Sequence, residues 1–227
     1  MKLPILASLA FVVVVTADAR AAGRTVGVAE RLAAVPNGPG RRVLDAALAA
    51  YNEAAQDGTL ARPDLLTVID YTRPSTERRL WVLDLARGRV LFHELVAHGK
   101  NSGENLARFF SNAHGSLKTS LGLFVTETPY VGRNGYSLRL RGLDRGVNDN
   151  ALDRAIVMHG ASYVSAAIAA KLGRLGRSWG CPALAPEVAQ RVIDVIRDGT
   201  PVFAYYPDRE WLARSPFLGS CTDPSES

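Results

Sequence analysis

Cysteine is scarce in this chain of 227 residues, which contains only Cys181 and Cys221. Exported domains that use disulfides for stability usually carry an even set of cysteines at close spacings. Cys221 lies in a polar segment near the end of the sequence, where chains tend to fray, so a single bridge between the two cysteines is the weaker alternative. A disulfide framework therefore does not hold this protein together, and Cys181 needs a different explanation.

Long apolar runs are also missing, apart from one at the amino terminus. Residues 3–15 are almost entirely apolar, Lys2 supplies a positive charge before them, and small residues at positions 17–21 offer a cleavage site. This pattern predicts a secretory signal peptide over residues 1–21. An uncleaved anchor is the alternative, but a membrane-spanning helix needs about 20 apolar residues. The mature protein is therefore expected in the periplasm or otherwise secreted to the cell envelope, with no stable membrane insertion after cleavage.

The excess of positive charge is small. The formal net charge is +5 and the arginines are dispersed, which suits an anionic envelope polymer and equally suits plain solubility. Dispersed arginines in an exported chain argue against nucleic acid as a partner. The spacing of His93 and His98 turns the two rings apart on a helix and sends them to opposite faces of a strand. Neither a metal ion nor a cofactor is expected.

The order of predicted elements gives a mainly β protein with short helices. Residues 35–40 are rich in Pro and Gly, and residues 41–57 repeat apolar side chains at helical spacing, so residues 22–62 are predicted to be a linker and an N-terminal amphipathic helix. Residues 63–207 form the predicted catalytic domain and residues 208–227 a C-terminal tail, and a monomer is expected. Short runs of β-branched, leucine and aromatic residues predict strands at 65–71, 80–85, 89–97, 121–128, 136–143, 155–158 and 201–206, with helical patterns beginning at 162 and 186.

Cys181 and His159 have the chemistry of a nucleophile and its base. A thiol becomes a good nucleophile when its pKa is lowered or a base takes its proton, and imidazole suits that task near neutral pH. His159 is predicted at the end of a strand, and Cys181 in a glycine-bearing turn before a helix. Gly180 lets the backbone amides of residues 180 and 181 approach a carbonyl closely and act as oxyanion donors.

The sequence around these residues resembles the signature of the L,D-transpeptidase catalytic domains, which have the YkuD fold. The resemblance rests on His159-Gly160 followed by Ser178-Trp179-Gly180-Cys181, and the run 176–184 is similar to a divergent branch of that family. Residues 118–124 and 198–202 also resemble family strands, so the similarity spans about residues 65–206. It implies a β-sandwich of the L,D-transpeptidase type.

The resemblance also implies a peptidoglycan crosslinking reaction. The thiol of Cys181 would attack the amide between the third residue and the terminal D-residue of a stem peptide, forming a thioester. His159 would take the thiol proton and later activate the acceptor amine, while the carbonyl of Gly160 would orient its ring. The amides of Gly180 and Cys181 would hold the oxyanion, and Ser178 would support the turn or contact substrate.

Two positions depart from the family pattern. Trp179 stands where many members have histidine, and Ala183 stands where many have the arginine that binds a substrate carboxylate. His159 still fills the position of the base, but the carboxylate needs another partner. The candidates for it are Arg139, Arg141, Arg177 and Lys118, and the residues predicted to contact substrate are Ser178, Trp179, Arg177, Tyr136 and Arg139.

Three functional classes follow from these residues. The leading hypothesis is an L,D-transpeptidase whose partner is the peptidoglycan stem peptide. A hydrolytic variant, an L,D-carboxypeptidase or endopeptidase, needs only water in place of the acceptor amine, and a non-catalytic wall-binding module is the third class. A sortase-like or papain-like cysteine enzyme is a lesser alternative, since Arg191 is poorly spaced for the arginine that sortases place after the nucleophile.

Overall fold

The computed structural model describes residues 27–56 and 58–218; the predicted signal peptide and Cys221 lie outside them. The strands are β1 (Leu65–Asp70), β2 (Leu80–Asp84), β3 (Arg89–Glu94), β4 (Gly122–Gly132), β5 (Gly135–Gly142), β6 (Val157–Gly160), β7 (Ala183–Leu184) and β8 (Pro201–Tyr205). The helices are α1 (Arg41–Gln56), α2 (Ala166–Leu172), α3 (Pro186–Ile196) and α4 (Arg209–Arg214), and residues 27–33 are also helical. None of the helices in the described ranges is long and apolar enough to cross a membrane.

The predicted fold class, mainly β with short helices after an N-terminal amphipathic helix, is confirmed. The strands form one hydrogen-bonded sheet of eight strands in the order β3-β2-β1-β8-β4-β5-β6-β7. The helix predicted over residues 41–57 is α1. β2 and β3 pair antiparallel across the predicted turn at residues 87–88, where Gly88 has a φ of 61°.

The middle of the sheet is buried on both faces. Every residue of β1, β2 and β8 is buried, which explains why these segments are nearly continuous apolar runs without strict alternation. α1 packs on β1 and β8, and its inner face buries Leu44, Ala47 and Leu48. The sheet and this helix together form the main hydrophobic core.

One edge of the sheet positions the candidate site. β6 pairs antiparallel with β5 and parallel with the two-residue strand β7. In this register His159 is opposite Ser137 on β5 and Ala183 on β7. Because Cys181 comes just before β7, the sheet brings the thiol segment alongside β6. β7 was not predicted, since two residues give no periodic signal.

The C-terminal segment differs from the predicted tail. Beyond residue 208 the chain forms α4, which begins at the N-cap residue Asp208, whose Oδ1 accepts a hydrogen bond from the amide of Trp211 at 2.9 Å. The Trp211 side chain is buried and packs on Phe203 and Tyr205, with ring centroids 5.8 and 6.2 Å away. Residues 208–218 therefore belong to the packed structure. Asp208 begins the helix, and the side chain of Trp211 attaches it to β8.

We expect buried and exposed positions of β4 to differ sharply in their contribution to stability. Leu123 is fully buried opposite Phe203, whereas Val131 on the same strand is 80% exposed. Leu123→Ala should lower the free energy of unfolding by about 2–5 kcal/mol, and the control Val131→Ala should change it by less than about 0.5 kcal/mol. Urea denaturation measures both, and equal losses in the two variants would contradict the burial of Leu123.

Candidate active site

The imidazole of His159 is oriented by the backbone that follows it. Its Nδ1 lies 2.9 Å from the carbonyl oxygen of Gly160, as the resemblance implies. A carbonyl only accepts hydrogen bonds, so Nδ1 carries the proton and the lone pair of Nε2 remains available as a base. Burial lowers the pKa of His159, and the bond to Gly160 opposes this shift. The ring is therefore neutral near pH 7, which is the form that can accept a proton.

The turn that carries Cys181 is held by side-chain hydroxyl groups. The Oγ of Ser178 donates to the carbonyl of Cys181 at 2.6 Å and accepts the amide proton of Gly180 at 3.1 Å. On the other side, Oγ1 of Thr119 donates to the carbonyl of Gly180 at 3.2 Å. Gly180 has a φ of 124°, a conformation that residues with a Cβ rarely adopt. The turn is thus fixed by contacts that do not involve the sulfur atom.

A second segment, residues 97–100, supports the same turn from behind. The amide of Ser178 donates to the carbonyl of His98 at 2.9 Å, and the amide of Lys100 donates to the carbonyl of Ser178 at 2.8 Å. A Cβ at Gly99 would lie 2.5 Å from the carbonyl oxygen of Leu117 and 3.0 Å from the Cα of Gly180. Two glycines are therefore needed where these two stretches of backbone meet.

The thiol of Cys181 is buried and faces the start of β6. Its Sγ accepts the amide proton of Val157 at 3.5 Å and donates to the carbonyl of Ala155 at 3.7 Å. Burial raises the pKa of Cys181, while the Val157 amide and the positive charge of Arg154 oppose this shift. Within the described residues no hydrogen bond joins this sulfur to the ring of His159. The structure thus places both groups at one edge of the sheet, with the thiol in a neutral resting position.

The predicted oxyanion donors are the amides of two consecutive residues of the turn, Gly180 and Cys181. The Gly180 amide is bonded to Ser178 Oγ, and the Cys181 amide lies beside its own sulfur and helps to lower the pKa of that thiol. The oxyanion role of these amides therefore stays a prediction.

Two of the predicted substrate-binding residues are occupied by contacts within the protein. Arg177 forms an ion pair with Glu104 at 2.6 Å and donates to the carbonyl of Gly103 at 3.0 Å. The hydroxyl of Tyr136 donates to Asp194 on α3 at 2.7 Å. These contacts hold the side chains of Arg177 and Tyr136 against other segments of the protein.

Two more of the five predicted substrate-binding side chains, those of Trp179 and Arg139, are exposed. Trp179, two residues before Cys181, is 71% exposed. Arg139 on β5 lies over the ring of Tyr130, with its guanidinium carbon 3.9 Å from the ring centroid. Residues opposite each other on paired strands share a face of the sheet, so the pairing of Ser137 with His159 puts Arg139, two positions along β5, on the face of His159. Arg139 and Trp179 are therefore free to meet a ligand.

A buried arginine and histidine beside the site form a pair that the sequence did not reveal. Arg79 is fully buried, and its Nη2 lies 2.8 Å from Nδ1 of His98, whose Nε2 is 3.3 Å from the carbonyl of Gly103. Burial and the charge of Arg79 lower the pKa of His98 to about 4. Arginine is almost never fully buried, and no periodic pattern marks such a pair. The sequence did not reveal the contacts of Thr119 and Arg154 either, because their hydrogen-bond partners lie far along the chain.

The histidines considered for metal binding have other contacts. His93 stacks on Trp81 with ring centroids 4.8 Å apart, and His98 belongs to the pair with Arg79. Across residues 27–56 and 58–218, no group of three or more His, Cys, Asp or Glu side chains is placed to hold a metal ion.

Comparison with known proteins identifies the family. Residues 38–205 match the model of the L,D-transpeptidase catalytic domain family of YkuD type. The chain therefore belongs to the L,D-transpeptidase catalytic domain family. No curated protein is similar enough in sequence to match the chain.

Several solved structures are distantly similar. An L,D-transpeptidase from Mycobacterium smegmatis is 16% identical over 63% of this chain and 59% of its own, with a TM-score of 0.39. L,D-transpeptidase 1 from Mycobacterium tuberculosis is 17% identical over 63% of this chain and 62% of its own, with a TM-score of 0.36. The helical cell shape determining protein Pgp2 from Campylobacter jejuni is 14% identical over 77% of this chain and 58% of its own, with a TM-score of 0.42. This chain thus spans about three fifths of the length of these proteins.

We expect the protein to lose stability in acid through His98. Its pKa falls from 6.5 to about 4 on folding. Between pH 6.5 and 4, His98 is therefore protonated in the unfolded chain but neutral in the folded protein. This group should therefore lower the free energy of unfolding by about 3 kcal/mol as the pH falls from 6.5 to 4. Urea denaturation at a series of pH values measures the effect.

The variant His98→Gln tests this assignment. Glutamine keeps an acceptor and a donor but does not titrate, so the pH dependence between 6.5 and 4 should become shallower by about the same amount. His114→Gln, at an exposed loop position, is the matched control and should keep the wild-type dependence. An unchanged slope in His98→Gln would contradict the role given to this ring.

Proposed function

We propose that this protein is a peptidoglycan L,D-transpeptidase of the cell envelope, with Cys181 as nucleophile and His159 as general base. The observation that carries the proposal is a neutral imidazole, fixed through Nδ1 by Gly160, at the sheet edge that also carries a buried thiol. The family match supports the reaction class.

The proposed reaction has two acyl-transfer steps. His159 takes the thiol proton, and the sulfur attacks the carbonyl of the L,D amide in a donor stem peptide. The amide C–N bond breaks, the terminal D-residue leaves with the proton held by His159, and a thioester remains on Cys181. An acceptor amine then attacks the thioester and gives a proton to His159. The C–S bond breaks, His159 returns that proton to the departing thiolate, and the crosslinked product and the free thiol are released.

The resting contacts of the thiol imply a small rearrangement before the first step. The sulfur has to leave the carbonyl of Ala155 and turn toward Nε2 of His159, which a rotation of the Cys181 side chain can provide. The amide of Gly180 can share its proton between Ser178 Oγ and the substrate oxyanion, so the turn keeps its conformation. The side-chain rotation exchanges one hydrogen bond of the sulfur for another.

We propose Arg139 as the residue that binds the carboxylate of the terminal D-residue. Among the four basic candidates, Arg177 pairs with Glu104 and Arg141 pairs with Glu127 at 2.8 Å. Lys118 lies in a loop, outside the strands that form the face of His159, and its ammonium lies over Phe109, 5.7 Å from the ring centroid. Arg139 shares the face of His159, and no carboxylate in the described ranges pairs with it. Its position supports a role in orienting the donor.

The nucleophile and base are tested by substitution. Cys181→Ala should form no covalent adduct with a carbapenem and no crosslinked product, because the acyl acceptor is gone. His159→Gln should keep the thiol but lose about 10²–10⁴-fold in rate, and His114→Gln should retain wild-type activity. Intact-mass and product mass spectrometry measure these outcomes, and undiminished crosslinking by Cys181→Ala would eliminate the proposal.

The same product analysis separates transfer from hydrolysis. Crosslinked product that appears only when an acceptor peptide is present supports the transpeptidase. Loss of the terminal D-residue without crosslinking, with or without acceptor, would instead make the protein an L,D-carboxypeptidase.

The role of Arg139 is tested against its neighbour on the same strand. Loss of a charge-assisted hydrogen bond costs about 1.5–3 kcal/mol, so Arg139→Gln should lower kcat/KM for a stem tetrapeptide roughly ten- to a hundredfold. The control Arg141→Gln should change it little. With a donor whose terminal carboxylate is an amide, the wild type and Arg139→Gln should be equally slow. A large effect of Arg139→Gln on both donors would contradict carboxylate binding.

A further inference from the structure

Arg154 is a cationic side chain beside the turn of residues 178–181, and the proposed reaction leaves its contacts unexplained. It stands just before β6, and its guanidinium group reaches across to the loop of residues 111–120. Nη1 donates to the carbonyl of Ser111 at 2.6 Å and to the hydroxyl of Ser120. Nη2 donates to the hydroxyl of Ser116 at 3.1 Å and to the carbonyl of Lys118 at 2.7 Å.

None of these four acceptors is an anion. Ion pairs hold many other arginines of this protein, including Arg141 and Arg177, but no carboxylate in the described part of the chain pairs with Arg154. A half-buried guanidinium without a counterion keeps its positive field for whatever lies next to it. The four neutral acceptors satisfy its hydrogen-bonding capacity without neutralising its charge.

The neighbour of that charge is the Cys181 turn. A Cβ at Gly180 would lie 3.5 Å from Nη2 of Arg154 and 2.8 Å from the carbonyl oxygen of Lys118. The guanidinium therefore packs against Gly180. The loop of residues 111–120, which Arg154 holds, contacts the same glycine through the carbonyl of Lys118. The residues after Arg154 complete the contact, because the Ala155 carbonyl and the Val157 amide both meet Sγ.

The backbone here is shaped for this arrangement. Ala155 has a φ of 53°, an uncommon conformation for a residue with a Cβ. It lies between the arginine and the strand that carries His159. One short stretch thus presents a cation, a carbonyl and an amide to the thiol.

We propose that Arg154 is a positioning residue for the nucleophile, and that its unneutralised charge stabilises the thiolate of Cys181 while its hydrogen bonds hold the loop of residues 111–120 against the Gly180 turn. The inference rests on the proposed function only in assuming that the thiolate of Cys181 attacks the stem peptide. It predicts a property of the thiol that can be measured without any peptidoglycan substrate.

The experiment follows alkylation of Cys181 by iodoacetamide across a range of pH. All proteins carry Cys221→Ser, so that Cys181 is the only thiol, and intact mass reports the rate. Arg154→Met removes the charge, and we expect alkylation at pH 7 to slow about tenfold, with the midpoint of the pH profile displaced upward. Arg154→Lys keeps the charge and should stay within about threefold of wild type.

Arg62→Met is the matched control, because Arg62 also donates to backbone carbonyls, those of Val195 and Arg197 at 3.1 and 3.3 Å, away from the thiol. Its pH profile should match that of the wild type. A wild-type profile in folded Arg154→Met would overturn the proposal. If Arg154→Met does not fold, Arg154→Lys decides: a loss of tenfold or more in that folded variant would show that charge is not what the arginine supplies.

The outcomes also distinguish this inference from the proposed function. If the pH profile shifts as expected but no variant, nor the wild type, acylates on a stem peptide, the inference stands and the proposed function fails. If crosslinking occurs with an unshifted profile in Arg154→Met, the reverse holds.

Discussion

The hydrogen bonds of Ser178 are the contacts on which the rest of the site depends. Cys181 belongs to neither a helix nor a strand, and the strand that follows it has two residues, so regular secondary structure cannot fix the thiol. Ser178 fixes it instead, through the Gly180 amide, the Cys181 carbonyl and backbone bonds to residues 98 and 100. Because buried backbone groups have to be paired, this network leaves the turn few alternative conformations. The sulfur atom of Cys181 is not needed to hold the turn in place.

Electrostatics then determine in which state the site rests. Burial raises the pKa of Cys181 and lowers that of His159, so both groups favour their neutral forms. In the proposed reaction, transfer of the proton from Cys181 to His159 creates a thiolate and an imidazolium in a site of low dielectric, where charges are costly unless they are compensated. The Val157 amide and the charge of Arg154 are placed to compensate the thiolate, and the Gly160 carbonyl is placed to compensate the imidazolium. A resting site that is neutral also protects the thiol from oxidation, because the thiolate is the reactive form.

Sequence reasoning succeeded where the signal is local. The strands and α1 follow from periodicity, and the contact of His159 with Gly160 joins adjacent residues. It could not foresee remote partners: Arg177 pairs with a residue 73 positions away, and Tyr136 with one 58 positions away. A side chain with such a partner cannot be distinguished in sequence from one that awaits a ligand, since both are polar residues near a motif. Arg154 was missed because its partners are also remote. Nothing in the sequence around it shows that its side chain reaches residues 36–43 positions away.

The alanine at position 183 constrains how a donor could bind. Ala183 is fully buried and packs in a small cluster with Ala97, Val164 and Leu175, so the arginine that many family members have at this position would not fit. Under the proposed function, carboxylate binding then passes from β7 to Arg139 on β5, with β6 between them. Neighbouring strands lie about 4.8 Å apart, so this places the carboxylate about 10 Å across the sheet from β7. A donor held in that way would lie across β5 and β6, over the edge of His159, and its scissile carbonyl would approach Cys181 from the side of the base.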